Sequence, residues 1–148
     1  MFDTNGLVKY YHPEVGSQKV QHIIDNSSNR IFISDLSIIE LVSSLAKKAR
    51  MGDITIPAFR IARRKFFSDL KHGKFFMIML TQKHGNDAIK FLVKYSTKRA
   101  LRTLDALQLA IAIDLKKQKN LDTFVSSDDK LTKVVKLEKI VFLNPELP

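Results

Sequence analysis

Apolar residues recur along this chain in two rhythms. Leu36, Ile39, Val42, Leu45, Ala46 and Ala49 return at three- and four-residue steps, the spacing of one helix face. Phe59, Ala62, Phe66, Phe67 and Leu70 do the same behind Pro57, a residue suited to a helix's first turn. Ile89, Leu92 and Val93 mark a further helix, and Leu131 with Val134-Val135 mark a last one. Leu104–Leu115 is apolar nearly all round and should be buried on most sides. Between the helices lie short runs rich in β-branched and aromatic residues: Met1–Thr4, Arg30–Ser34, Lys74–Leu80, Thr123–Ser126 and Lys139–Leu143. Strands separated by helices imply parallel pairing with right-handed crossovers. The expected fold is a three-layer α/β/α sandwich around a small, mostly parallel sheet. With no linker, repeat or low-complexity tract, residues 1–148 read as one domain.

Charge adds a partner class to that scaffold. Twenty-five Lys and Arg against 15 Asp and Glu leave a formal charge of +10, which points to a polyanion. Hydrophobic residues make up 45% of the chain, the level of a soluble globular protein. The greasiest stretch is broken by Asp105, Gln108 and Asp114 and is too short to span a bilayer. Asp3 and Asn5 stand where a secretory leader would be basic and then apolar, and Cys is absent, so a cytoplasmic protein without membrane attachment is expected.

Four acids stand at informative places. Asp3 and Asp128 follow strand candidates, and ligands of open parallel sheets bind beyond the strands' carboxyl ends. Glu40 and Asp105 lie in the opening turns of two helical segments. Each has a structural explanation. Asp3 and Asp128 suit helix caps, Asp105 suits a helix start behind a Thr103 cap, and Ser37–Glu40 reads as a capping box, although Ser34 or Asp35 caps equally well. Converging together, however, four carboxylates repel unless a cation relieves them. An ionised Asp105 in so apolar a helix is expensive without compensation. Oxygen ligands without Cys favour Mg²⁺ or Mn²⁺. His12, His22, His72 and His84 show no metal-ligand spacing, and no phosphate-loop, dinucleotide or serine-hydrolase motif is present.

The motifs resemble a known family. Phe2-Asp3-Thr4-Asn5-Gly6-Leu7-Val8-Lys9 resembles the opening of PIN-domain ribonucleases, particularly the VapC-type toxins. Ile39-Glu40-Leu41 resembles their second acidic position. Leu101–Ala110 is similar to their most recognisable segment, Phe124–Leu131 to the block carrying the fourth acid, and Asn144-Pro145 to the usual ending. The resemblance implies that Asp3, Glu40, Asp105 and Asp128 form a Mg²⁺ or Mn²⁺ site, with Thr4, Asn5 and Ser126 as polar support. It also implies RNA as substrate, a cognate antitoxin as inhibitor and a homodimer. Family members carry several apolar residues before the first Asp, whereas Met1 and Phe2 alone precede Asp3 here, so the central strand should be short.

The expected chemistry is phosphodiester hydrolysis by metal-activated water, with one or two ions. Arg102, nearest the acids in sequence, is the leading phosphate contact. Lys94, Lys98 and Arg99 precede it, while Arg60, Arg63, Arg64 and Lys65 read chiefly as a solvated face. Two rivals remain: a non-catalytic PIN-like RNA-binding or scaffold module, and a haloacid-type phosphatase. The latter needs an acid two residues after the first, where this chain has Asn5.

Overall fold

A computed structural model describes all 148 residues. Its elements run α1 (Thr4–Tyr11), α2 (Ser17–Asp25), β1 (Phe32–Ser34), α3 (Asp35–Met51), α4 (Ile56–Lys71), β2 (Phe76–Ile78), α5 (Gln82–Arg99), α6 (Thr103–Lys117), β3 (Phe124–Val125), α7 (Asp129–Leu137) and β4 (Phe142–Leu143).

The strands are short, and all pairing is parallel: β1 with β2, and β3 with β4. Residues 1–3 join these two pairs. Phe2 N–H donates to Phe32 O at 2.9 Å, Asp3 N–H to Val125 O at 3.1 Å, and Val125 N–H to Met1 O at 2.8 Å. The spatial order is therefore β2, β1, residues 1–3, β3, β4. The anticipated Met1–Thr4 strand is reduced to one bridge, Phe2 with Val125, because Asp3 caps a helix that begins at Thr4.

Strand alternation sorts the core into two. Met1, Phe32 and Phe124 face a cluster with Ala88 and Tyr95 of α5, Leu109 and Ile111 of α6, and Val134 and Val135 of α7. Their neighbours Phe2, Ile33 and Val125 face the opposite cluster, built from α1 to α4 around Leu7, Val20, Leu41, Leu45 and Phe66. Successive strand side chains point to opposite faces, so each two-residue step serves both layers. This is the α/β sandwich expected. Phe124 is fully buried, and its truncation to Ala should cost about 3–5 kcal/mol.

Several faces differ from the periodicity reading. Ile39, Phe67, Ile89 and Val93 are exposed, whereas Ser37, His84 and Gln108 are buried. Helix α2 lies where the apolar pattern singles out nothing. No helix is long and apolar enough to cross a membrane.

Candidate functional site

Asp3 continues the sheet through its backbone and ends it through its side chain. As the cap of α1, its Oδ1 accepts from Gly6 N–H at 2.7 Å, satisfying an otherwise unpaired donor of the first turn. Its Oδ2 accepts from Ser126 Oγ at 2.6 Å. The residue is 3% exposed. Burial pushes its carboxyl up to about 7; the Ser126 and Gly6 hydrogen bonds act against this, and the charges of Asp128 and Glu40 add to it. Gly6 is required here for space. A Cβ at this position would stand 2.9 Å from Val125 O and 3.3 Å from Asp3 Oδ1.

Glu40 reaches the same edge from α3. Its Oε2 accepts from Thr4 Oγ1 at 2.7 Å and from Gln108 Nε2 at 3.2 Å. Ser34, not Ser37, caps α3, with its Oγ accepting from Ser37 N–H, so Glu40 is free of the capping role its spacing suggested. Gln108 has no assigned role in the sequence reading. Its amide bridges Glu40 and Ser37, and the signal for it is an amide in an apolar helix, one turn beyond Asp105. Its Oε1 is buried without a partner, an acceptor open to a donor such as a hydrated cation.

Asp105 and Asp128 are held more locally. Asp105 is the third residue of α6, whose cap is Arg102 rather than Thr103; its Oδ2 accepts from Arg102 N–H at 3.2 Å. Burial raises its carboxyl above the ordinary range, assisted by the charges of Asp128 and Glu40 and opposed by the Arg102 N–H and guanidinium. Asp128 caps α7, its Oδ1 accepting from Lys130 N–H at 2.8 Å and Leu131 N–H at 3.0 Å. Ser126 ties the two strand-end acids together: its hydroxyl donates to Asp3 and accepts from Asp128 N–H at 3.0 Å. Three of the four acids thus sit at helix N-termini, where the macrodipole favours negative charge.

The chain's PIN-domain match, residues 1–137, covers all four acids. The chain belongs to the PIN-domain family. No curated protein matches it. The PIN domain is generally a metal-dependent nuclease fold acting on RNA, typically with divalent metals such as Mg²⁺. The donor set of this PIN chain is all oxygen, which suits a hard cation. In the present arrangement no three carboxylate or imidazole groups form a ready-made metal-binding set.

The other candidates divide. Thr4 and Ser126 turn their hydroxyls onto Glu40 and Asp3. Arg102 is exposed, and its charge is felt at Asp105. Asn5 is exposed and makes no hydrogen bond to an acid; it lines a separate hollow of about 320 Å³ with Ser44, Lys47 and Ser127. His84 is buried against α6, with Thr81 N–H donating to its Nδ1 and Asp114 3.5 Å from its Nε2. Asp114 lies nine residues beyond Asp105, roughly 14 Å along the helix, so this histidine belongs to packing.

Proposed function

We propose that this chain is a Mg²⁺- or Mn²⁺-dependent endoribonuclease and the VapC-type toxin of a toxin–antitoxin pair, acting in the cytoplasm. The observation that carries the reading is electrostatic: burial above all holds Asp3 and Asp105 above the ordinary carboxylate range, and the charges of Glu40 and Asp128 add to it. Repulsion of this kind is what a divalent cation relieves. Asp3, Glu40, Asp105 and Asp128 are the proposed ligands, with Asp128 also serving α7 as its cap. When bound, the metal supplies a water of lowered pKa and neutralises charge on the phosphate.

The chain's own groups set the geometry around that chemistry. Ser126 and Gly6 fix both oxygens of Asp3, so this carboxylate cannot turn. Thr4 and Gln108 together hold one oxygen of Glu40 and leave the other free to bind or to accept a proton. Asp105, half-buried and bonded to a single N–H, keeps the freedom to swing toward a ligand. Arg102, beside Asp105, is the proposed contact to a substrate phosphate, which a guanidinium binds readily.

An antitoxin that blocked this site would present Arg to the acids, since the guanidinium fork matches carboxylates. A homodimer is part of the same proposal, and Ile39, Phe76, Met77, Ile89 and Val93 are exposed apolar residues available for such an interface.

The test is RNA cleavage by purified full-length chain. Wild type should cut with Mn²⁺ and stop in excess EDTA, and Asp3→Asn and Asp105→Asn should not cut. Expression alone should arrest bacterial growth, with the Asp105→Asn variant harmless. Cleavage by both variants, or in EDTA, would sink the reading; harmless expression of folded wild type would remove only the toxin role.

A further inference from the structure

Beside the acid edge, the end of α5 and the start of α7 enclose a cleft of about 360 Å³. Ser96, Thr97, Lys98 and Arg99 line one wall, Lys130 and Lys133 the other, and Ala100 is its one apolar lining residue. None of the four cations forms an ion pair, although six other lysines do so elsewhere in the molecule. No acid lines the cleft.

Folding does not account for this arrangement. Lys98 and Arg99 complement the carbonyl end of α5, but Lys130 lies in the first turn of α7, where a cation opposes the helix dipole, and Lys133 follows in the next turn. Four like charges around one concavity also repel one another. Ala100, which ends α5 at the cleft, adopts a left-handed conformation (φ 52°) that a residue with a Cβ rarely takes. Such a cluster becomes favourable when a polyanion occupies it.

Both walls of the cleft adjoin the acid site along the chain. Lys130 follows Asp128 by two residues and donates its backbone N–H to that carboxylate. The α5 wall runs through buried Leu101 to Arg102, which donates its own to Asp105. Each wall is thus tied through the backbone to one of the acids.

We propose that the cleft binds backbone phosphates of single-stranded RNA flanking the scissile bond, a subsite that rests on the ribonuclease reading above. Cations and hydroxyls without apolar anchors suit a sugar-phosphate chain, where contacts position the strand without reading its bases. An acidic protein segment would need buried apolar anchors that this cleft does not offer.

The experiment measures binding of labelled single-stranded RNA in EDTA across a salt series. Each phosphate contact contributes a log-salt slope of roughly −0.7. Lys130→Gln with Lys133→Gln should reduce the slope by up to about 1.4, and adding Lys98→Gln and Arg99→Gln should bring the reduction to about 2.8. Arg60→Gln with Arg64→Gln, a charge-matched pair on the exposed face of α4, should move it far less. Because all six side chains lie at the surface, melting temperatures should hold and confirm that each variant is folded. Equal loss in the α4 pair, an unmoved slope in the four-site variant, or binding of polyglutamate as tight as RNA through the same four residues would each overturn the proposal. Binding without turnover separates the two readings. A wild-type chain that binds through the cleft but never cuts sinks the nuclease reading alone, whereas one that cuts with its slope unaffected by the four substitutions sinks the cleft alone.

Discussion

The acid edge has two halves that are built differently. Asp3 and Glu40 take hydrogen bonds from residues remote in sequence, Ser126 for the first and Thr4 and Gln108 for the second, although Asp3 also caps α1 through Gly6 N–H. Asp105 and Asp128 take theirs from backbone within three residues, at the start of the helix each occupies. The first half is an assembly of α1, α3, α6 and the end of β3, which exists only when the sheet is complete. The second half forms wherever its two helices begin. Position in the first half thus needs the tertiary fold, for Asp3 in addition to its cap, whereas in the second it follows from local capping alone. The two should respond to substitution in opposite ways.

The largest effect should come from Asp3→Asn. Cleavage should be lost altogether, while the metal-free fold gains stability at neutral pH. The folded carboxyl lies near 7 and the unfolded one near 3.8, so the folded state binds the extra proton between those values. Stability of the metal-free wild type should therefore fall as pH rises from about 4 to about 7, by at most about 4 kcal/mol from this group. Thermal melts in EDTA across that range check the sign. The Asn variant should lack this part of the slope, and identical slopes in the two proteins would show that Asp3 is not a destabilised anion.

Gly6→Ala should come next, because the added Cβ meets the Val125 carbonyl and the Asp3 carboxylate together. Overpacking of this kind costs about 1–3 kcal/mol. The carboxylate has only a few tenths of an ångström to give, so turnover should fall by less than the roughly 100-fold that a 1 Å misplacement brings. Retention of full activity would mean that the contact relaxes without moving Asp3.

Ser126→Ala and Gln108→Ala remove the remote donors and should weaken Mn²⁺ affinity about 10–100-fold. Calorimetric titration of each variant reads this directly. Unaltered affinity in both would dissolve the distinction between the halves, because the long-range bonds would then be incidental to the carboxylates' placement.

The smallest effect separates the two duties of Asp128. Asp128→Ala should cost about 1 kcal/mol through loss of the α7 cap. Asp128→Ser restores a capping oxygen without the charge, so its stability should return while its activity should not. Recovery of cleavage along with stability would assign Asp128 to the helix alone.

Much of the scaffold was legible because strong apolar periodicity and short β-rich runs are local signals. Helices α3, α4, α6 and α7 fall where the pattern puts them, and the strands fall within the expected runs. The misread faces have a common cause. Ile39, Phe67, Ile89 and Val93 fit a helical stripe yet point outward, while Ser37, His84 and Gln108 interrupt the stripe yet point inward. Periodicity assigns polar residues to solvent, and a buried polar side chain that finds a hydrogen-bond partner defeats that assumption. The same limit hid Gln108 as a partner of Glu40, since nothing local ties residue 108 to residue 40.

By itself the sequence determined the order of strands and helices apart from α2, the oxygen-only acid set and the capping chemistry that starts α1 and α7. These depend on neighbours within one helical turn, which any reading of residue type can reach. Tertiary structure alone decided that Ser126 clamps Asp3, that Gln108 and Thr4 hold Glu40, and that burial lifts Asp3 far above an ordinary carboxylate. It also decided that Lys98 and Arg99 face Lys130 and Lys133 across one cleft. The reason is physical. Desolvation and like-charge coupling depend on distances between residues that lie tens of positions apart in the chain, and those distances are set only when the two cores close on either side of the sheet.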